Sequence, residues 1–168
     1  YLDMPSVGAT INALLVATKA KGVTTIENAA KEPEIVNVAT FLNNMGAKIR
    51  GAGTETITIK GVEHLHKAFH EVIPDRIEAG TYIIIGALLG ENLKIKRIIP
   101  THVESLTSKL IEAGADMEIK EDEIIINAKD KYKSVNVKTQ PYPGFPTDLQ
   151  QPIIPFLTRC RGTSTVEE

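Results

Sequence analysis

One proline-rich stretch, Pro141-Tyr-Pro-Gly-Phe-Pro-Thr-Asp148, combines a rigid backbone with a residue suited to acid–base chemistry. Its three prolines and one glycine fall within six residues, directly before a predicted helix, and stiffen a loop that could hold a reactive group. Asp148 lies at the start of that helix, where the helix dipole favours its ionised form. An ionised carboxylate in a shaped pocket can accept a proton. The alternative is that Thr147 or Asp148 only caps the helix.

A second candidate is the small-residue stretch Pro5-Ser-Val-Gly-Ala-Thr10, which opens another predicted helix. The start of a helix presents free backbone N–H groups and a partial positive charge, and both suit a phosphate. Gly8 would let the backbone approach such a ligand closely. Capping of the helix by Ser6 is the alternative, because the stretch matches neither a P-loop nor a GxGxxG motif.

Charged residues mark the starts of two further helices. In Pro74-Asp-Arg-Ile-Glu78, Asp75 suits the N-cap position, and Arg76 could pair with a phosphate or a carboxylate. A capped helix with a surface ion pair is the alternative there. Glu32 and Glu34 also lie at a helix start, where compensation of the helix dipole accounts for them.

The histidines and the cysteine do not indicate a metal site or a nucleophile. His64, His66 and His70 have no acidic neighbour at a fixed spacing, and their separation by two and four residues suits a solvated strand edge. Cys160 has no evident base as a partner, so we interpret it as structural. We therefore expect neither a metal nor a cofactor.

Composition narrows the class of protein. Hydrophobic residues make up 42% of the 168 residues and charged residues 24%, which is typical of a soluble globular protein. The net charge of −2 and the lack of a basic stripe argue against nucleic acid as a partner. No apolar run is long enough to span a bilayer, and the first residues do not form a signal peptide. We expect a cytoplasmic protein without a membrane partner, and we interpret the chain as part of a longer one.

A pattern of helices and strands occurs twice along the chain. The first copy is predicted as a helix from Ser6 that ends at Gly22, a strand Val23–Asn28, a helix Glu34–Met45, and hairpin strands Lys48–Arg50 and Thr54–Lys60. The second is predicted as a helix Arg76–Leu89, a strand Asn92–Arg97, a helix Thr101–Ala113, and hairpin strands Asp116–Ile119 and Glu123–Asn127. Gly46 and Gly114 lie 68 residues apart, and Ile57 and Ile125 share that spacing.

Details of the pattern predict the helix faces and caps. Ile11, Leu14 and Leu15 should form the buried face of the first helix. The helix Arg76–Leu89 should carry an apolar set that comprises Ile77, Tyr82, Ile84, Ile85 and Leu88. Thr101 and Glu104 have the spacing of a capping box. A third copy should begin with a helix at Thr147.

The predicted fold class is α/β, built from repeated helix–strand–helix–strand–strand units with the helices turned inwards. A period of about 70 residues is too long for a solenoid, so neighbouring copies should bury each other's apolar faces. His66–Pro74 is an irregular stretch suited to a linker, and Ser134–Lys138 is a short strand.

Several stretches together resemble the UDP-N-acetylglucosamine 1-carboxyvinyltransferase family, in family order and nearly from end to end. They are Pro5–Thr10, Thr25–Ile35, Phe41–Thr54, Val72–Thr81 and Lys138–Gln150. The resemblance implies two domains, each an inside-out α/β barrel of three repeated units. Residues 1–73 would be the last part of the first domain and residues 74–168 the first part of the second, a partial barrel in each case.

The resemblance also implies a reaction. An enolpyruvyl group would pass from phosphoenolpyruvate to the 3-hydroxyl of UDP-N-acetylglucosamine, in the first committed step of peptidoglycan synthesis. By resemblance Asp148 is the catalytic base. The implied substrate-binding residues are Pro5, Ser6, Val7, Gly8, Arg76, Thr147 and Asp148. Glu32 and Glu34 would lie near the cleft.

The chain departs from the family pattern in three ways, one of which is that the nucleotide-binding motif expected just beyond residue 168 is missing. The family's flexible loop, with a Cys or Asp proton donor, would lie upstream of residue 1, so Cys160 is not that donor and this segment alone should be inactive. Pro152 and Pro155 replace residues that are not prolines in the family, and a helix interior disfavours proline. We therefore expect the helix after Asp148 to be short, kinked or absent.

Two other functions remain open. The shikimate-pathway enolpyruvyl transferase shares the fold, although the stretches Pro5–Thr10 and Pro143–Asp148 favour a nucleotide-sugar substrate. A non-catalytic binding or scaffold domain could also have kept the fold. Apolar barrel faces exposed at the two ends could drive self-association.

Overall fold

The computed structural model describes all 168 residues, which form two compact units, Tyr1–Ile73 and Pro74–Glu168. Each unit has its own apolar core between helices and a three-stranded antiparallel sheet. None of the helices has the length and hydropathy needed to cross a lipid bilayer. The predicted α/β class and the repeat of a sheet-and-helix unit are both present in the structure.

The first unit contains two helices and one sheet. Its elements are α1 (Val7–Ala17), β1 (Val23–Glu27), α2 (Pro33–Asn44), β2 (Lys48–Arg50) and β3 (Thr56–Lys60). The sheet order is β1-β3-β2, with both pairs antiparallel. Residues Ile57 and Ile59 of β3 point into the core, while the alternate residues of that strand are exposed. This alternation leaves one apolar face, which the helices cover with Leu14, Ile35 and Leu42.

The buried face of α1 differs from the prediction. Leu14 is fully buried and Ile11 is partly buried, but Leu15 is 45% exposed. The helix is rotated so that Thr10 lies in the core, where its hydroxyl accepts a hydrogen bond from the backbone N–H of Ala30 at 3.0 Å. The helix also ends at Ala17 rather than at Gly22.

The second unit repeats this plan and extends it. Its elements are α3 (Arg76–Leu89), β4 (Leu93–Lys96), a 3₁₀ turn (Pro100–Val103), α4 (Glu104–Glu112), β5 (Asp116–Ile119), β6 (Glu123–Asn127), β7 (Tyr132–Lys133), β8 (Val137–Lys138), a 3₁₀ turn (Thr147–Leu149), α5 (Gln150–Thr158), β9 (Cys160–Arg161) and β10 (Val166–Glu167). The sheet order is β4-β6-β5, and the unit also contains two short parallel pairs, β8 with β10 and β7 with β9.

The two hairpins differ in length by one residue. Arg50 pairs with Thr58 in the first hairpin, whereas Glu118 pairs with Ile125 in the second. A shift of one residue turns every side chain to the opposite face of a strand. The shared spacing of Ile57 and Ile125 therefore does not mark equivalent positions: Ile57 and Ile59 are the buried residues of β3, and Ile124 and Ile126 are those of β6.

The bounds predicted for α3 are confirmed, but its apolar set is only partly correct. Ile84 is buried as expected, whereas Tyr82 is 51% exposed and Ile85 is also exposed. The packed face instead includes small residues that let the helix lie close to its neighbours. A Cβ atom on Gly80 would come within 2.6 Å of the Leu149 side chain, so the helix can approach that residue only without a side chain at this position.

The capping box predicted at Thr101 and Glu104 is wrong. Pro100 begins a 3₁₀ turn, so Thr101 already lies inside that turn and its side chain caps nothing. The N-cap of α4 is Val103, which has no side-chain hydrogen bond.

The helix α5 is present, with nine residues, despite its two prolines. Pro152 lies in the first turn, where helices tolerate proline. Pro155 lies inside the helix but on its exposed side, while Ile153 and Phe156 are buried. Pro155 has no backbone N–H to donate to the carbonyl of Gln151, four residues earlier in the helix. Because Gln151 is exposed, water can donate a hydrogen bond to that carbonyl instead.

A buried tyrosine ties the end of α3 to the segment before β7. The Tyr132 hydroxyl donates to the carbonyl of Ala87 at 2.5 Å and accepts from the N–H of Lys129 at 2.8 Å. Its ring lies 4.6 Å from that of Phe156. Burial raises the pKa of Tyr132 above its usual value of 10.0.

We expect Tyr132→Phe to lower the free energy of unfolding by about 1–3 kcal/mol, because it leaves the buried carbonyl of Ala87 and the part-buried N–H of Lys129 without their partner. Since the pKa of Tyr132 is raised on folding, its contribution is complete below pH 10.0 and is lost as the pH rises through the raised pKa. Urea unfolding followed by circular dichroism should show a steeper loss of stability above about pH 10 in the wild type than in Tyr132→Phe. The half-exposed Tyr82→Phe is the control, and equal effects of the two substitutions would contradict the assignment.

Candidate functional site

The loop before α5 is held at both ends by buried side chains. Phe145 and Leu149 are 5% and 1% exposed, and the exposed residues Thr147 and Asp148 lie between them. Within the loop the N–H of Gln140 donates to the Phe145 carbonyl at 2.9 Å. The peptide bond between Tyr142 and Pro143 is cis. The buried side chains of Phe145 and Leu149 anchor the loop, and Asp148 is exposed to solvent between them.

The carboxylate of Asp148 makes no hydrogen bond or ion pair within the chain. It lies in the first turn of the 3₁₀ segment that leads into α5, and the residue is exposed. The alternative interpretation, in which its side chain caps the helix, is wrong, because the structure shows no side-chain cap at this helix start. Both carboxylate oxygens can therefore accept a hydrogen bond or a proton from a ligand.

Thr147 has a different partner from the one that a helix cap would provide. Its hydroxyl donates to the Oε1 atom of Glu168 at 2.6 Å. Glu168 was not among the candidates from the sequence. No motif marked it, and only the pairing of β8 with β10 brings it beside the loop.

Arg76 contacts the same loop. It is the first residue of α3, directly after Asp75, whose carboxylate accepts from the N–H groups of Ile77 and Glu78. The guanidinium carbon of Arg76 lies 5.7 Å from the centre of the Tyr142 ring, within the range of a cation–π contact. The fold therefore brings Arg76 against the loop that carries Asp148, a proximity that their separation along the chain does not show.

The predicted anion site at Pro5–Gly8 lies in the other unit. Ser6 is the N-cap of α1, and its hydroxyl accepts from the N–H of Ala9 at 3.2 Å. This capping leaves the N–H groups of Val7 and Gly8 without an acceptor inside the helix. A Cβ atom on Gly8 would meet nothing within 4 Å, so open space lies in front of this backbone. Capping and anion binding are compatible here.

Two acidic residues of the first unit, Glu32 and Glu55, differ in burial and in their hydrogen-bond partners. One carboxylate oxygen of Glu32 is buried without a hydrogen-bond partner. Lys31 pairs with Glu55 at 2.7 Å, and this contact lowers the pKa of Glu55. The side chain of Glu32 does not cap α2, although it occupies the N-cap position.

The other candidates from the sequence show structural contacts. The ring of His70 lies 5.2 Å from that of Phe41, and no group of three or more potential ligand side chains is arranged around a metal site. Burial raises the pKa of the Cys160 thiol, whose sulfur lies 3.5 Å from the carbonyl oxygen of Phe156. A raised pKa makes this thiol a poor nucleophile near neutral pH.

The chain is similar to bacterial carboxyvinyltransferases along its whole length. It is 57% identical over 168 residues to a UDP-N-acetylglucosamine 1-carboxyvinyltransferase 2 of Listeria monocytogenes serotype 4b and spans 40% of that protein. It is 58% identical over 167 residues to the protein of the same name from Lactiplantibacillus plantarum, of which it spans 39%. These relatives confirm the resemblance drawn from the sequence.

A solved structure and a family model agree with these relatives. The enolpyruvyl transferase NikO from Streptomyces tendae matches 95% of this chain, and 39% of its own length, with a TM-score of 0.82 and 27% identity. The model of the EPSP synthase family, described as 3-phosphoshikimate 1-carboxyvinyltransferase, matches residues 1–168. The chain therefore belongs to the EPSP synthase family.

Proposed function

We propose that this chain is a segment of an enzyme that transfers an enolpyruvyl group from phosphoenolpyruvate to the 3-hydroxyl of UDP-N-acetylglucosamine. Its identity of 57% to a protein with that transferase name supports the substrate pair, although the chain spans 40% of that protein. The observation that carries the chemistry is the exposed Asp148 carboxylate, which has no partner within the chain and is presented by a loop with buried anchors.

One of the proton transfers in this reaction suits a group present in the chain. The sugar hydroxyl must lose a proton as its oxygen bonds to the enol carbon of phosphoenolpyruvate, and the neighbouring methylene carbon must gain one. Loss of a proton from that carbon then expels phosphate and restores the double bond. The Asp148 carboxylate would accept the hydroxyl proton.

The remaining site residues would hold the anionic substrates. The N–H groups of Val7 and Gly8 at the start of α1 would bind the diphosphate of the nucleotide sugar, with Pro5 and Ser6 shaping this turn. Thr147 would contact the sugar through the oxygen lone pairs that its hydrogen bond to Glu168 leaves available.

Arg76 would contribute positive charge beside the Asp148 loop. In the complete protein, residues 1–73 would belong to the first barrel domain and residues 74–168 to the second. We place the enzyme in the cytoplasm, in the synthesis of peptidoglycan.

A second candidate is transfer to 3-phosphoshikimate, which the description of the matching family names. An assay of phosphate release distinguishes the two. The full-length protein that carries this segment should release phosphate only with both phosphoenolpyruvate and UDP-N-acetylglucosamine. Release with 3-phosphoshikimate in place of the nucleotide sugar would support the second candidate, and release with neither would support a non-catalytic homologue.

Asp148→Asn should lower kcat of the full-length enzyme by about 10²- to 10⁴-fold, because the amide cannot accept the hydroxyl proton. The fold should persist, since the carboxylate makes no contact within the chain. Asp130→Asn, which changes another exposed acidic residue of the same unit, is the matched control and should leave kcat unchanged. Turnover of Asp148→Asn within about threefold of the wild type would remove Asp148 as the base.

Gly8→Val should raise the KM for the nucleotide sugar about tenfold or more, because the side chain fills the open space before the N–H groups of α1. The KM for phosphoenolpyruvate should stay the same. Ala9→Val is the matched control, since Ala9 is equally exposed but its N–H already bonds to Ser6. If both substitutions affect the KM values equally, the helix start is not the diphosphate site.

A further inference from the structure

The segment that contains β8 precedes the Asp148 loop and pairs both with β10 and with the loop itself. We call these three paired segments the frame of the loop. β8 pairs in parallel with β10, and the pairing continues beyond both strands, where the N–H of Thr139 donates to the Glu167 carbonyl at 2.9 Å. The same segment is bridged to the loop itself, since Thr139 pairs with Phe145. One short segment thus joins the end of β10 to the loop.

This frame brings Glu168 beside Thr147. The hydroxyl of Thr147 donates to Glu168 Oε1 at 2.6 Å, within the 2.5–2.7 Å range of strong hydrogen bonds between a hydroxyl and a carboxylate. The contact joins residues 21 positions apart in the chain. This hydrogen bond holds Thr147, the exposed residue directly before Asp148, which has no buried side chain of its own to anchor it.

The consequence for Asp148 follows from its neighbours. Leu149 is buried on one side, and Thr147 is held by Glu168 on the other. Without Glu168, the buried residues nearest to Asp148 would still hold the loop, but the first residue of the 3₁₀ turn would be free to rotate. A small displacement of a reacting group can cost about 10²-fold in rate.

We infer that Glu168 is a positioning residue, which orients the Asp148 carboxylate through the hydroxyl of Thr147. The inference rests on the proposed function for its effect on catalysis, but the contact itself can be tested separately. What the position requires is an acceptor for the Thr147 hydroxyl rather than a negative charge. Glutamine provides an acceptor of the same length, so Glu168→Gln should preserve the role and Glu168→Ala should abolish it.

The structural test uses hydrogen exchange in the full-length protein that carries this segment. The probes are the amides of Leu149 and Gln150, which donate to the carbonyls of Pro146 and Thr147 in the 3₁₀ turn. Exchange across peptides that span residues 145–151 should become at least about threefold faster in Glu168→Ala and in Thr147→Val. It should stay at the wild-type rate in Glu168→Gln.

The matched control is Glu167→Gln, which changes the preceding carboxylate on the same strand. Glu167 has its own partner, Lys138, at 2.5 Å on the exposed surface, and exposed ion pairs of this kind contribute little to stability. The rate of hydrogen exchange in residues 145–151 and the turnover of Glu167→Gln should match those of the wild type. If Glu167→Gln loosens the loop as much as Glu168→Ala, the effect comes from the strand and the positioning role is overturned.

The kinetic test uses phosphate release by the same variants. Glu168→Ala should lower kcat about tenfold with KM changed by less than about twofold, and Glu168→Gln should stay within about threefold of the wild type. Thr147→Val should lower kcat at least as much and should also raise the KM for the nucleotide sugar, because it removes the contact with the sugar as well. The double variant should be no slower than Thr147→Val alone, since Glu168 acts on the loop only through the Thr147 hydroxyl. Multiplied effects in the double variant, or an unchanged kcat in Glu168→Ala, would overturn the inference.

The two tests separate the failure of this inference from that of the proposed function. If the wild-type full-length protein releases no phosphate with either acceptor, the proposed function fails, and the exchange experiment alone still decides whether Glu168 holds the turn. If the wild type is active but exchange in residues 145–151 is the same in Glu168→Ala as in the wild type, the positioning role is wrong while the proposed function stands.

Discussion

Both units depend on one constraint: a three-stranded sheet with one apolar face must bury that face against helices. In β3 the buried residues alternate with threonine and lysine, so the sheet is apolar on one side only. Burial of a large aliphatic side chain contributes about 1.5–3 kcal/mol, and several such residues from each sheet meet the helices. The positions of α1 and α3 follow from this packing, and with them the positions of Gly8 and Arg76 at their starts.

Much of the fold follows from local patterns. The recurrence of the first copy's order of elements predicts the bounds of β5 and β6 correctly, and the apolar period together with a capping aspartate predicts the bounds of α3. The faces of the helices were harder to predict. A helix that packs through small residues, such as Gly80, buries a face that hydrophobicity alone does not mark. In α1 the buried Thr10 rotates the helix through a hydrogen bond to a loop distant in sequence.

In the candidate site, too, features that depend on neighbouring residues can be predicted from the sequence, whereas contacts between distant residues cannot. Asp148 and the capping role of Ser6 could be found from residue types and their neighbours. The contacts of Arg76 with Tyr142 and of Thr147 with Glu168 could not, because each depends on tertiary packing within the second unit. The prolines of α5 predict a helix that is short, kinked or absent, whereas the structure has a helix of nine residues, because Pro155 lies on its exposed side.

The one-residue difference between the two hairpins determines which positions of the two copies correspond when the copies are aligned. If the copies arose by duplication, an insertion or deletion has since occurred in a turn, where a change in length alters no buried contact. An alignment of the copies without a gap would assign the core role of Ile57 to Ile125, which faces away from the core. Engineering that transfers a stabilising core substitution from one copy to the other must therefore target Ile124.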